Sequence, residues 1–368
     1  MTQTTKCKEL FFLRGIACLS IVLLHAIGLG LTSITKEGLT GVFFDSIHVL
    51  LYFATPLFIF ISMFILGYSY RHRPLPHTFL KNRILYLFLP FLFMAFFYSI
   101  PYASSFKDWG LKFLLNSVIG DYHGYFVLII FQFFVLYLLL HKVLPRFNPA
   151  VVLISSFIIN ASYLAFFNFT TPWAVPYADY IWERFYWVPF LGWLFYFTLG
   201  YYCGTYYERF MVQLEKWKGL VLAGPLLTSA LLLFFYHSDW LAIHSSKRID
   251  MLFHTMTVGF FLFYIANKMQ TIPQSIVFIS QYSFGIYLLH MFYQAVFDFA
   301  FQFMSINLGY SYIFLLFAGS TMCSIYTIQY VSRWKYAAYL IGKVGIGYQQ
   351  PSTRKTQKAI QSYSSHTG

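Results

Sequence analysis

The first apolar run of the chain, residues 9–31, reads ELFFLRGIACLSIVLLHAIGLGL and holds only three acidic or basic residues, Glu9, Arg14 and His25. A bilayer core takes about 20 apolar residues in helical form. The run therefore predicts a transmembrane helix. Two lysines precede it, as in a signal peptide, but Arg14 interrupts the run and no small-x-small cleavage site follows cleanly, so we expect the helix to remain uncleaved.

The composition extends this prediction to the whole chain. Of 368 residues, 59% are hydrophobic, 23% aromatic and only 10% charged, and the mean hydropathy is +0.62. Soluble domains carry about 25% charged residues. These values exclude a water-soluble globular enzyme and a disordered chain. They also argue against nucleic-acid binding despite the net charge of +13.

Charge-poor windows long enough to cross a bilayer recur along the sequence. They are residues 9–31, 48–69, 84–103, 124–142, 149–168, 187–206, 219–236, 251–267, 276–300 and 311–332. An even number of crossings puts both termini on one side. The predicted fold class is all-α, a polytopic membrane bundle of about ten transmembrane helices in the cell membrane.

The distribution of charge selects the orientation. If both termini are cytoplasmic, 19 of the 25 Lys and Arg residues face inward, with only three of the 12 acidic residues. The inner segments then carry +16 and the outer segments −3, as the positive-inside rule requires. The net charge is thus explained by topology. We expect residues 1–333 to form the membrane domain and residues 334–368 a basic, loosely ordered cytoplasmic tail.

Ionisable side chains inside a membrane are costly and usually functional. Arg14 and His25 are eleven positions apart, about 16.5 Å along a helix and on nearly the same face. Arg14 falls near the cytoplasmic entrance and His25 in the outer half of the bilayer. Two structural interpretations remain open: Arg14 as a snorkelling anchor, and His25 as a buried histidine bonded to a neighbouring helix.

A second polar group lies in the ninth window. Ser283, Tyr287 and His290 follow an i, i+4, i+7 spacing and so share one helix face, with His290 at about the depth of His25. An interhelical hydrogen-bond seam explains the spacing equally well. His48 and His123 begin the second and fourth windows and are interpreted as residues of the membrane interface. The polar segment around His123 could also line the mouth of a cavity.

These residues belong to a longer series of motifs. The series comprises Arg14 and His25 in the first window, Pro56 to Ser62 in the second, Phe79 to Arg83 leading to Pro90, Tyr122-His123, Leu199-Gly200, and Ser283 to His290. In this order the chain resembles acyltransferase family 3, within the branch of intercellular-adhesion polysaccharide acyltransferases of Gram-positive bacteria. Two positions depart from the family pattern. Met63 follows Ser62 where glycine is common, and Tyr86 stands where a second arginine often follows Arg83.

The resemblance implies transfer of an acetyl or succinyl group from cytoplasmic acyl-CoA to a hydroxyl of an extracytoplasmic glycan. It implies catalytic roles for Arg14, His25 and His290. His25 would act as general base or transient acyl acceptor, and Arg14 would orient the donor or stabilise the thioester oxyanion.

The resemblance also implies two binding regions. Arg14, Arg83 and Lys81 would bind acyl-CoA through its phosphates. The acceptor side would be formed by Tyr287, Ser283 and His123. We expect no metal and no resident cofactor, because acyl-CoA is a co-substrate. Expected partners are the bilayer and proteins of glycan synthesis or export, with no nucleic acid. For the basic loop that contains Lys81 and Arg83, topology and contact with anionic lipid remain an alternative.

Two other functions fit the sequence. A polysaccharide exporter or flippase would have the same hydropathy profile, but the chain lacks an obvious inverted repeat or a pair of Gly/Pro-broken helices. A sensor or assembly subunit would make the histidines structural. In that case His25→Ala would lower protein abundance and not turnover.

Overall fold

The computed structural model describes residues 7–33, 38–304 and 308–345, which are helical with no strand in these ranges. The α-helices are α1 (Lys8–Ser33), α2 (Gly38–Leu51), α3 (Ala54–Tyr70), α4 (Phe79–Arg83), α5 (Leu89–Ser99), α6 (Phe106–Val118), α7 (Tyr125–Leu140), α8 (Pro149–Phe169), α9 (Ala178–Trp187), α10 (Leu194–Thr205), α11 (Tyr207–Lys216), α12 (Lys218–His237), α13 (Met251–Lys268), α14 (Gln274–Phe303) and α15 (Ser311–Val331). The all-α prediction is confirmed.

Seven helical segments within the described residues are long and apolar enough to cross a membrane. They are Lys8–Thr32, Gly38–Tyr70, Phe79–Ser99, Pro149–Phe169, Lys218–His237, Gln274–Met304 and Ser311–Val331. Helices also lie in the remaining three predicted windows. These are α7, α10 and α13, which fall outside the seven because they are shorter or less apolar.

The second predicted window has a different boundary in the structure. Helix α2 begins at Gly38, ten residues before the predicted start, and α3 follows it after a two-residue break at Tyr52 and Phe53. His48 therefore lies within α2, and its predicted place at the beginning of a span is wrong. The apolar run alone could not locate the break, because both helices are apolar.

A π-helical segment, Ile84–Phe88, joins α4 to α5. Pro90 lies in the first turn of α5, and its ring nitrogen cannot donate a hydrogen bond to the preceding turn. Insertions of this kind are typical of strained or functional helix segments. The π-helical segment follows immediately after Arg83, a predicted donor-binding residue.

The centre of the bundle is the close contact between α3 and α10. Gly200 and Gly204 of α10 lie directly against the α3 backbone, and a Cβ atom at Gly204 would approach the Tyr68 backbone nitrogen to 2.8 Å. Small residues allow helices to approach in this way in membrane bundles. Helices α1 and α14 pack along each other beside this pair, whereas few side chains of α8 and α12 are buried.

The segment after α15 packs against the bundle. Tyr339 stacks on Tyr86 with ring centroids 5.7 Å apart, the Lys343 ammonium lies 3.7 Å from the centre of the Tyr86 ring, and Ile341 is buried. The sequence predicted a loosely ordered tail from residue 334, and residues 334–345 do not fit that description. The rest of the predicted tail, residues 346–368, lies outside the described residues.

Candidate active site

A cavity of about 180 Å³ opens between α1, α3, α4, α7 and α14. Its polar lining consists of Arg14, Ser62, Arg83, Ser283 and Tyr287, and the rest of the wall is aliphatic or aromatic. Two arginines in an otherwise apolar wall, with no carboxylate in that lining, favour an anionic ligand group with an apolar extension.

Arg14 is held in the cavity wall by α14. Its Nε donates a hydrogen bond to Ser283 Oγ at 2.6 Å, and the Ser283 hydroxyl in turn donates to the Ser280 carbonyl at 2.9 Å. Ser280 and Ser283 are one helical turn apart, so the local geometry of α14 fixes the acceptor. This contact ties Arg14 to a predicted acceptor-side residue and differs from the environment of a snorkelling anchor.

Arg83 and Lys81 have different environments. The Arg83 guanidinium lies 4.7 Å from the ring centre of Phe134 and 5.2 Å from that of Phe79, and the residue lines the cavity. Lys81 is exposed and does not line the cavity. Residues two positions apart point about 200° apart around a helix. The structure thus brings Arg83, and not Lys81, to Arg14.

Three histidines meet beyond the cavity. The ring centroids of His25 and His290 are 5.3 Å apart, and those of His123 and His290 are 5.7 Å apart. The predicted common depth of His25 and His290 thus corresponds to direct proximity of their rings. His123 joins them from the loop before α7. None of the three lines the cavity itself.

The hydrogen bonding of His290 defines its tautomer. Its Nδ1 lies 3.0 Å from the Ile286 carbonyl oxygen, which can only accept, so Nδ1 carries the proton and Nε2 of the neutral ring carries a lone pair. His290 is fully buried, and its Nε2 has no hydrogen-bond partner in the described part of the chain. The Nε2 of His123 is also buried without such a partner.

Tyr287 stands between the cavity and the histidines. Its side chain lines the cavity, its hydroxyl donates to the His123 carbonyl at 2.5 Å, and its ring centroid is 6.1 Å from that of His290. Tyr287 therefore contacts both the arginine-lined cavity and the histidine cluster. The i, i+4, i+7 spacing of Ser283, Tyr287 and His290 corresponds to successive positions along this path.

Two further residues support the cluster and were not predicted. Gln294 is fully buried, and its Nε2 donates to the Val22 carbonyl at 3.0 Å. It continues the polar face of α14 one turn after His290, so the spacing could have revealed it. The Tyr98 ring lies 4.6 Å from that of His123, but nothing distinguishes Tyr98 in sequence among 31 tyrosines.

Comparison with known proteins agrees with this geometry. A family model described as an acyltransferase domain, Acyl_transf_3, matches residues 8–330. The chain belongs to acyltransferase family 3. YfiQ of Bacillus subtilis (strain 168), named as a membrane-bound acyltransferase, is 35% identical over 364 residues, covering 97% of this chain and 99% of that protein. This acyltransferase is therefore a multi-pass protein of the cell membrane that transfers acyl groups to oxygen.

Other relatives of this acyltransferase carry a different name. A protein of Staphylococcus aureus (strain MSSA476) named "Probable poly-beta-1,6-N-acetyl-D-glucosamine export protein" is 29% identical over 293 residues, or 77% of this chain and 81% of that protein. A protein of Staphylococcus epidermidis with the same name is 31% identical over 295 residues, with 77% and 79% coverage. No solved structure matches the chain.

Proposed function

We propose that this acyltransferase moves an acetyl or succinyl group from cytoplasmic acyl-CoA to a hydroxyl of an extracytoplasmic glycan. We further propose that ten helices cross the membrane and that both termini are cytoplasmic. The ten crossings are the seven long apolar segments together with α7, α10 and α13. The charge asymmetry of the sequence supports this orientation.

The donor would bind at the arginine-lined cavity. Arg83, beside the basic loop, would hold a phosphate group of CoA, because guanidinium groups form charge-assisted hydrogen bonds with phosphate. Arg14, about three turns before His25 on α1, would lie nearer the thioester. There its guanidinium would stabilise the oxygen that becomes negative when the carbonyl is attacked. The apolar wall would accommodate the pantetheine arm and the acyl chain.

The acceptor hydroxyl would react at the histidine cluster. An imidazole nitrogen with a lone pair and no partner suits a general base, and His290 Nε2 meets both conditions. In the transfer the hydroxyl proton passes to imidazole, the oxygen attacks the thioester carbonyl, the C–S bond breaks and the CoA thiolate leaves with a proton. His25, whose ring lies 5.3 Å from that of His290, would share the role of base or would carry the acyl group between donor and acceptor.

The observation that carries this proposal is the arrangement of three groups in space. The arginines line the cavity, Tyr287 lies at its wall next to the histidine cluster, and two histidines of that cluster have Nε2 atoms without a partner in the described part of the chain. The test uses purified protein in liposomes, acyl-CoA labelled in the acyl group, and a soluble glycan acceptor on the opposite side. We expect labelled glycan without any ion or voltage gradient. No label on the glycan, with donor and acceptor saturating, would contradict the proposal.

The export relatives favour one second candidate, a polysaccharide exporter. An exporter would move unmodified glycan across the membrane and would not consume acyl-CoA. Cells with and without the protein distinguish the two functions by mass spectrometry of surface glycans. An acyltransferase changes the ester content per sugar at constant surface glycan, whereas an exporter changes the amount of surface glycan at constant ester content.

A further inference from the structure

A second polar cluster lies on α2, away from the cavity. Asp45 and His48 are three residues apart on this helix and so project from the same face. His244, from the connection between α12 and α13, meets them there. Each offers one ligand-type atom, a carboxylate oxygen or an imidazole nitrogen, and these three atoms lie within 4.8 Å of one another.

The atoms of this cluster converge on a small volume. His244 Nε2 is 3.5 Å from Asp45 Oδ1, close to the separation of about 3.3 Å between two ligands of a tetrahedral zinc ion. The His48 and His244 ring centroids are 5.2 Å apart. The Tyr236 hydroxyl lies 2.7 Å from Asp45 Oδ2 and 2.5 Å from His244 Nε2. The Tyr236 hydroxyl is thus within hydrogen-bond distance of two of the three residues and could supply a further oxygen ligand.

We propose that Asp45, His48 and His244 form a zinc site. Two imidazoles and one carboxylate are a typical zinc donor set, with a fourth position left for water or for the Tyr236 hydroxyl. The donors are too few and too rich in nitrogen for calcium or magnesium, which take six or more oxygen ligands. All three residues are partly accessible, so an ion can enter.

The site lies beside α1 through His48. His48 lies against α1 at Gly28, where an added Cβ would lie 3.3 Å from the His48 Nε2. Gly28 is one helical turn after His25. A metal bound by α2 and by the loop of His244 would therefore fix the wall behind the histidine cluster. This inference concerns metal binding alone and does not depend on the identity of donor or acceptor.

The test measures zinc directly on the full chain, purified in detergent with a tag that contains no histidine. The protein is stripped with a chelator, titrated with Zn²⁺ against a fluorescent zinc indicator, and assayed for metal by mass spectrometry. We expect one tight zinc per chain. We also expect that Co²⁺, bound in its place, gives the intense visible absorption of a tetrahedral site.

Single variants locate the ion. Asp45→Asn, His48→Ala and His244→Ala should each weaken zinc binding by at least about 100-fold, more than the loss of an outer-shell partner. His237→Ala is the matched control, because His237 is on the same surface and bonds Ser46, and it should bind zinc as the parent does. Absence of tight zinc from the parent protein would overturn the proposal, as would zinc binding as tight as the parent's in all three variants. The parent measurement stands even if a variant fails to fold.

Discussion

The two ends of the active-site path are built differently. At the cavity end, Arg14 and Arg83 are held by specific neighbours: a 2.6 Å hydrogen bond to Ser283 for the first, and the rings of Phe79 and Phe134 for the second. At the other end, the rings of His25 and His123 each lie within 6 Å of the His290 ring, and the Nε2 atoms of His123 and His290 have no partner within the described ranges.

The two ends therefore suit two different physical tasks, binding of a charged group and transfer of a proton. A side chain that binds a charged group must be oriented in advance, so its own hydrogen bonds are committed to the protein. A side chain that exchanges a proton with substrate must keep an atom available for it. Variants at the cavity end should therefore change the affinity for the donor, at Arg83, or the stabilisation of the thioester oxyanion, at Arg14. Variants at the histidine end should change turnover.

The largest effect is expected at the histidine end. His25→Ala should lower the rate of acyl transfer by about 1000-fold, because a base or acyl acceptor contributes factors of this size. The affinity for acyl-CoA should change little. Both quantities are measured in liposomes, by initial rates at saturating donor and by equilibrium binding of a non-hydrolysable acyl-CoA analogue.

The control for this variant is abundance in the membrane. A structural role for His25 predicts less protein with normal turnover per molecule, as expected for a sensor or assembly subunit. A catalytic role predicts normal abundance with turnover lost. Full activity of His25→Ala in membranes supplied with acyl-CoA would remove His25 from the catalytic site.

The sequence could predict which residues contribute to the cavity and to the histidine cluster. Helix geometry determines which residues of one helix share a face from their spacing in sequence. A separation of eleven positions puts Arg14 and His25 on one side of α1. The i, i+4, i+7 spacing puts Ser283 and His290 on one face of α14. The same rule predicted that His25 and His290 lie at a common depth, which agrees with the contact between their rings. These predictions need only one helix at a time.

What the sequence could not predict is the contact between helices. The bond from Arg14 to Ser283 joins residues 269 positions apart, and nothing local specifies it. The same is true of Tyr98, which touches His123 across the bundle. Spacing also could not separate Arg83 from Lys81, because the orientation of α4 depends on its packing against α7.

The second largest effect is expected for Arg14→Met, which keeps an unbranched apolar stem and removes the charged guanidinium. Loss of a group that stabilises the developing oxyanion should lower turnover by about 100-fold. Arg14→Lys should recover only part of this, because an ammonium cannot reproduce the planar guanidinium fork. Recovery of full turnover by lysine would show that charge alone, without the geometry of the Ser283 bond, is sufficient.

A smaller effect is expected for Arg83→Ala, and it should appear in KM. Loss of one charge-assisted hydrogen bond to phosphate should raise the KM for acyl-CoA by about tenfold with kcat nearly unchanged. Lys81→Ala is the matched comparison, since Lys81 is a nearby cation that is exposed and outside the cavity lining. We expect a KM change of less than about threefold there, as for screened surface charges. Equal KM changes in both variants would show that Arg83 does not bind the donor and serves membrane topology or contact with lipid.

The smallest effect is expected for Ser283→Ala, which leaves both ends intact and removes only the orientation of Arg14. A neutral hydroxyl acceptor contributes about 1 kcal/mol, so turnover should fall by roughly fivefold. Because Ser283 acts through Arg14, the two changes should not add: in the Arg14→Met background, Ser283→Ala should cost almost nothing further. Residues that share a hydrogen bond behave in this way in a double-mutant cycle. If the two losses of turnover instead multiply, Ser283 contacts the substrate independently of Arg14. The cavity end would then also bind the acceptor, which contradicts the assignment of donor and acceptor to separate ends.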